Sequence, residues 1–278
     1  MHAPEWLAAC RTMVDGLEAM LAAHPGTAER AVEVGQGEGG DRTLVIDQAA
    51  EELIFAELAR LHAAGETFTA ISEERGEVAF GDGPVRVVID PIDGSLNAKR
   101  GLAPCALSVA VADGPTMGDV SFGFVRELGR GGEEWTAVRG GGARLDGEPI
   151  AAPERERRTR DGRLELVALE SAHPHLVAAA APALVPVAHR VRIIGSIALA
   201  LCQVAAGRID GMATLWRARS VDVAAAQLIV RESGGQVAFT AFAEPLAAGL
   251  DLGSRSPVVA ARSAAGLAEL AALPSSLQ

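Results

Sequence analysis

Tyrosine is absent from this chain of 278 residues, and only three Trp and seven Phe stand in it, a scarcity that by itself points to no function. Cysteine is rare too. Cys10, Cys105 and Cys202 are odd in number, far apart and form no CxxC, which excludes a disulfide framework and fits reduced, buried thiols of a cytoplasmic protein. Basic charge is in deficit, with 25 Lys plus Arg against 36 Asp plus Glu and a net charge of −11. That balance argues against a general nucleic-acid binder, which needs a basic stripe to displace counterions from phosphates. No apolar run approaches the roughly 18 residues of a membrane span, so no membrane partner is expected. Glu5, Arg11 and Asp15 interrupt the first apolar stretch, so it does not have the form of a secretory signal. What is present is core material: the chain is 49% hydrophobic and 22% charged, enough for one large α/β domain or two packed ones.

Residues 4–23 predict an amphipathic helix, because Trp6, Leu7, Cys10, Met13, Val14, Leu17, Met20 and Leu21 recur at three- and four-residue steps. His24-Pro25-Gly26 stops it. Val34 to Thr43 is Gly-rich and charged and predicts a mobile loop, followed by a second helix over 47–63 that pairs with the first. Short β-type runs then appear at 67–71, 85–89, 105–112, 118–125 and 134–138, close enough to predict one antiparallel sheet. The glycines at 129–132 and 140–142 predict hairpin turns, and Trp135 a packed side chain. The charged stretch 153–163 is a strand-free surface connector and divides the chain into an N-terminal α+β half, 1–152, and a C-terminal α/β half, 153–278. In the second half strands at 164–168, 190–194, 210–214 and 236–239 alternate with helices at 196–206 and 222–233, and a helix closes the chain at 263–273. His173 and His175 flank Pro174 with no third ligand near, which is a surface turn rather than a zinc site.

The chemistry concentrates in carboxylates. An apolar strand, 85–89, runs into Asp90-Pro91-Ile92-Asp93-Gly94-Ser95, and Pro91 forces a turn that can bring both aspartates to one point. Their repulsion calls for a cation, and hard oxygen ligands suit Mg²⁺, Mn²⁺ or Ca²⁺ rather than zinc. The following Gly94-Ser95-Leu96-Asn97 starts a helix whose free N–H groups suit a phosphate. Against this stands the ordinary role of Asp-Pro and Asp-Gly as turn dipeptides. Glu73-Glu74 ends the preceding β-run, and Asp222 precedes an apolar helical run, where it also serves as a helix cap. Aspartyl-nucleophile phosphatases of the haloacid-dehalogenase type separate their two aspartates by one residue. Here Pro91 and Ile92 intervene, and the spacing argues against that mechanism.

Taken together, Asp90 to Ser95, Asp222-Val223-Ala224-Ala225 with Gly234-Gly235, Glu73-Glu74, Gly195-Ser196-Ile197-Ala198-Leu199 and the 47–54 helix resemble the inositol monophosphatase family in order and spacing, from about residue 40 to 260. The resemblance implies a layered αβαβα sandwich of the sugar-phosphatase type. It implies two or three Mg²⁺ ions, for which Mn²⁺ can substitute, held by Glu73, Asp90, Asp93, Asp222 and the carbonyl of Ile92. It implies that Asp47 and Ser95 orient the attacking water, with Glu73 also in the catalytic set, and that Gly94 and Ser95 offer N–H groups to phosphate. Asp93, Ser171, Gly195, Ser196, Arg217 and Arg219 are the expected substrate contacts, against which stand the ordinary roles of arginines on a surface loop and of serines in loops and helix caps. A homodimer is inherited from the same source, as is a small-molecule phosphate ester as partner.

Departures bear on the substrate. Val221 stands where the family has Trp, Leu215 where the animal enzymes have a sugar-binding Glu, and Gln36-Gly37-Glu38 lacks their loop Lys. Trp216-Arg217-Ala218-Arg219 places two cations before Asp222, closer to the archaeal-type branch that takes both inositol phosphates and fructose 1,6-bisphosphate. Inositol 1-phosphate is the expected substrate. The alternatives are fructose 1,6-bisphosphate, histidinol phosphate, a 3′-phosphoadenosine nucleotide, or a catalytically silent sugar-phosphate-binding module.

Overall fold

The structure, a computed structural model, describes residues 2–36, 38 and 42–275. Helix α1 (Ala3–Ala23) buries Trp6, Cys10, Met13, Val14 and Leu17 along one face, as its periodicity requires. Arg30, in the short α2 (Thr27–Arg30), closes the end of α1 by donating to the carbonyls of Leu21 at 2.8 Å and His24 at 2.6 Å. The loop expected at 34–43 is instead an antiparallel pair, β1 (Glu33–Gln36) and β2 (Arg42–Leu44). Backbone pairing satisfies the main chain of a mostly polar segment, in which Val34 and Leu44 are too few to give a strand period. Gly37 and residues 39–41 of that expected loop lie outside the described residues. Helix α3 (Val45–Ala63) packs on α1, and its Asp47 accepts the Leu44 N–H at 3.1 Å, so this aspartate sits in the first turn rather than at the start.

The next strands are β3 (Phe68–Ser72), β4 (Gly76–Phe80), β5 (Arg86–Asp93), which leads into α4 (Ser95–Arg100), and β6 (Ala106–Ala112). Then come β7 (Val120–Glu127), β8 (Glu134–Val138), β9 (Gly142–Leu145) and β10 (Glu148–Pro149). They form one sheet in the order β10-β9-β8-β7-β6-β5-β3-β4. The sheet is not wholly antiparallel as expected: β3 and β5 run parallel, because the unanticipated β4 folds back along the outer edge of β3. The glycine turns do join β7 to β8 and β8 to β9, and Trp135 is fully buried.

The second half contributes β11 (Leu164–Glu170), α5 (Pro174–Leu184), β12 (Ala188–Arg192), α6 (Ile197–Ala205), β13 (Gly211–Thr214), α7 (Ser220–Glu232), β14 (Gln236–Phe239), β15 (Val258–Ala261) and α8 (Ala264–Ala271). Its sheet runs β12-β11-β13-β15-β14, parallel through the first three strands. The unforeseen β15 is antiparallel to both its neighbours. Period-two alternation sorts these elements into layers. Val87 and Ile89 of β5 face the core under α1 and α3, while Val88 faces the opposite core with α6 and α7. Ala168 of β11 meets that same central core, and Val167 and Leu169 turn outward to α5 and α8. The result is an αβαβα sandwich. Helix α7 is buried from Ser220 to Val230, which accounts for its apolar run.

The connector at 153–163 runs at the surface but is tied down: Glu156 accepts from Ser263 N–H at 2.6 Å and its hydroxyl at 2.8 Å, and the Arg157 N–H donates to Asp210 at 2.9 Å. The three cysteines are buried and unpaired. No described helix is long and apolar enough to cross a membrane.

Helix α7 lies close over β7 at Gly123, where a Cβ would stand 2.7 Å from the Ala225 carbonyl. Gly123→Ala is therefore expected to destabilise the fold by about 1–3 kcal/mol through overpacking. Urea unfolding checks this, and a variant within about 0.5 kcal/mol of the parent would mean that the helix can stand off.

Candidate active site

Strand β5 breaks register with β6 between Asp90 and Asp93. Pro91 has no N–H to give, and the turn closes instead on the Asp90 carboxylate, which accepts the Ile92 N–H at 3.0 Å. Gly94, at φ +91°, then reverses the chain into α4, and a Cβ there would lie 2.8 Å from the Gly195 carbonyl. Asp93 crosses to the start of α6, accepting from the Ser196 hydroxyl at 2.6 Å and the Ala198 N–H at 2.7 Å. Ser196 in turn caps α6 by accepting the Leu199 N–H at 3.2 Å. A helix N-terminus favours an anion, so the fold holds Asp93 in one orientation.

Asp47, Glu73, Asp90, Ile92, Ser95 and Arg219 line one cavity of about 150 Å³ together with Glu51, Glu74 and Pro91. Beside it a pocket of about 530 Å³ takes in Asp93, Ser171, Gly195, Arg217, Arg219 and Asp222, with Glu170, His173, Trp216 and Arg255. The site residues expected from the sequence are thus divided between two adjoining spaces. Gly94 and Ser196 are not among the lining residues of either space: Gly94 packs closely on the Gly195 carbonyl, and Ser196 holds Asp93. Arg219 joins the two spaces: its guanidinium pairs with Glu73 and, at 3.2 Å, with Asp222, and its own N–H donates to Asp222 at 2.9 Å. Asp222 stands in the first turn of α7, which begins two residues before the expected start. With the guanidinium between them, no three Asp, Glu, His or Cys side chains among the described residues converge at chelating distance.

Burial sets the electrostatics. It pushes the Asp47 carboxyl up to about 6, and those of Glu73 and Asp93 up to about 7. Asp90 is held well above the usual carboxylate range by burial and then by the charges of Asp93, Glu73 and Asp222. The acids are all hard oxygen donors, the type that takes a hard divalent cation, but Glu73 and Asp222 are turned to Arg219 and would have to leave it to bind one.

Two acids, Glu51 and Glu170, were not anticipated in the site, whereas the Glu73-Glu74 pair was placed at this sheet edge from the sequence. Glu51 lies four residues after Asp47 and so on the same helical face, a signal the sequence does carry. Its carboxylate accepts the Glu74 N–H at 3.2 Å and so fixes the turn that presents Glu73. Glu74 enters beside its neighbour. Glu170 carries no sequence signal, because its partners lie 24 and 25 residues further on. His173 and His175 are exposed, but in place of the expected surface turn they begin helix α5, with His173 at its N-cap and His175 in its first turn.

The profile of the inositol monophosphatase family matches residues 5–275. A protein of Methanothermobacter thermautotrophicus named fructose-1,6-bisphosphatase/inositol-1-monophosphatase is 32% identical over 243 residues, 84% of this chain and 83% of its own. The Nus factor SuhB of Escherichia coli is 34% identical over 215 residues, 74% of this chain and 75% of its own. A solved inositol monophosphatase-fructose 1,6-bisphosphatase shares the fold with a TM-score of 0.78 at 23% identity, covering 96% of this chain and 98% of that one.

Proposed function

The chain belongs to the inositol monophosphatase family and is a phosphoric monoester hydrolase acting on sugar phosphates, and from that premise we propose that it converts inositol 1-phosphate to inositol and phosphate with the help of Mg²⁺. The observation that carries this reading is the acid-lined cavity opening beside a larger, cation-bearing pocket. The smaller space, with the Asp93 and Asp222 wall of the larger, suits the phosphoryl end and its metal, and the rest of the larger pocket suits the polyol.

Glu73, Asp90, Asp93, Asp222 and the Ile92 carbonyl would hold two or three Mg²⁺ ions, with Mn²⁺ as a substitute. When bound, the metal supplies neutralisation of the phosphoryl oxygens and a lowered pKa for water. Asp47 and Ser95 orient that water. The Asp47 carboxyl, raised to about 6 by burial, is still largely ionised at neutral pH and matched to taking a proton there. Ser196 and the α6 N–H groups keep Asp93 aimed, and the Gly94 and Ser95 N–H groups take a phosphoryl oxygen. Ser171, Gly195, Arg217 and Arg219 meet the hydroxyls from the pocket side.

A second substrate, fructose 1,6-bisphosphate, is supported by Arg217 and Arg255 in the larger pocket and by the name of the Methanothermobacter relative. Arg217 also lies over Trp216, 5.8 Å from the ring centroid, which stiffens its guanidinium. The test is phosphate release from inositol, fructose, histidinol and adenosine phosphates with Mg²⁺ and with chelator. Mg²⁺-dependent turnover best on inositol 1-phosphate is expected. If the bisphosphate is favoured and Arg217→Ala raises its KM about tenfold, a loss of about 1.4 kcal/mol, while sparing the monoester, the second substrate is the right one. No Mg²⁺-dependent release from any ester would sink both.

A further inference from the structure

We propose that Glu170 is a positioning residue for this reaction: it clamps the loop between β12 and α6 from the pocket side and so holds the α6 N-terminus against Asp93. The inference rests on the phosphatase reading for its kinetic part only. Glu170 is the last residue of β11 and is 1% exposed. Its two carboxylate oxygens each accept one backbone N–H, from Ile194 at 2.8 Å and from Gly195 at 2.9 Å. Two charge-assisted bonds to consecutive amides fix both the position and the tilt of that loop.

The opposite side of the loop is gripped as well. Asn97 donates to the Ile194 carbonyl at 3.0 Å and to the Pro104 carbonyl at 2.8 Å. Gly195 adopts φ +82°, and a Cβ on it would lie 2.7 Å from the Asn97 side chain, so the loop has no slack in that direction. The residue after the clamped pair is Ser196, whose hydroxyl holds Asp93. A continuous path therefore runs from Glu170 through two amides and one cap to an acid of the site. The backbone after Glu170 turns at once through Ser171 at φ +52°, a conformation that non-glycine residues adopt where the surroundings enforce it. The burial that would penalise an unneeded charge here is the same burial that makes the clamp stiff.

Glu170→Gln keeps the shape and replaces one acceptor by an NH₂ group that cannot accept the second amide. Hydrogen exchange, Mg²⁺ titration by calorimetry and steady-state kinetics on the full chain read the consequence. In the variant, the Ile194 and Gly195 amides are expected to exchange at least about tenfold faster, with the central sheet strands unchanged. Mg²⁺ affinity and kcat/KM are each expected to fall about 10- to 100-fold, the usual cost of losing a residue that orients a ligand. If Glu170 acts through the cap, adding Glu170→Gln to Ser196→Ala lowers kcat/KM far less than it does in the parent. A full multiplicative loss in the double variant, or unchanged exchange at residues 194–195, overturns the proposal. Should the parent release no phosphate from any ester, the phosphatase reading fails, while exchange and Mg²⁺ affinity still decide the clamp. Glu170→Ala, which removes both acceptors, must raise exchange at the same two amides; if it does not, the clamp is absent.

Discussion

Asp90→Asn is expected to lower kcat/KM by at least about 10³-fold while leaving the fold intact, a cost larger than that of an orienting residue because a charge of the cluster itself is removed. Asp90 is 4% exposed, and its neighbours Asp93, Glu73 and Asp222 all raise its affinity for a proton. Asparagine has the same shape and retains an oxygen that can accept the Ile92 N–H, so the turn through Pro91 survives. What disappears is one negative charge from a group that a divalent cation has to neutralise. The substitution should therefore split activity from stability: in chelator the variant unfolds at a temperature equal to or above that of the parent, because one source of repulsion is gone. Kinetics and thermal unfolding on a single preparation measure both. Turnover within tenfold of the parent would place the metal elsewhere, and a large loss of stability would mean that Asp90 serves the fold first.

The second large effect concerns pH. Without metal, stability is expected to fall as pH rises from the ordinary carboxylate range to about 7. Burial raises Glu73 and Asp93 to about 7 and Asp47 to about 6 in the folded chain, whereas the unfolded chain loses these protons near its ordinary carboxylate values. The folded state thus binds more protons across that window, and each proton withdrawn works against it. The stabilisation is fully present below the unfolded values and is gone above the folded ones. A single acid raised from 4.5 to about 7 corresponds to a loss on the order of 3 kcal/mol at 1.36 kcal/mol per unit. Mg²⁺ replaces the protons and should flatten most of this slope. A residue of it should persist, because Glu170 is also raised to about 7 by burial and lies outside the set assigned to the metal. Urea unfolding at pH 5 and pH 8, in EDTA and in Mg²⁺, tests the point. Equal stability at the two pH values in EDTA would contradict the buried-acid description. A slope that Mg²⁺ leaves untouched would move the metal away from these carboxylates.

Much of this was legible before any fold was known. The helices α1, α3, α7 and α8 announce themselves through spacing or apolar runs, and Asp-Pro-Ile-Asp-Gly-Ser marks its own turn, because proline and glycine restrict the backbone whatever surrounds them. Misreadings cluster where local composition says little about pairing. β1 and β2 are polar, β4 is five residues long, and β15 follows an irregular stretch, so none carries a strand signal strong enough to stand alone. Glu51 shares a helical face with Asp47 and could have been assigned. Glu170 could not.

Local order alone specifies which acids are available, where the chain must turn between Asp90 and Asp93, and which segments carry the apolar runs of the core helices and strands. The folding of the layers onto one another decided that carboxylates of α3, β5 and the β3–β4 turn line one cavity, that Arg219 links it to Asp222 of α7, and that Glu170 grips a loop 24 residues away. The reason is one of range. Backbone stereochemistry and hydrophobic period act over a few residues and are written in local order. Charge clusters form only when separate layers close on one another, and burial then turns ordinary carboxylates into groups that hold protons near neutrality.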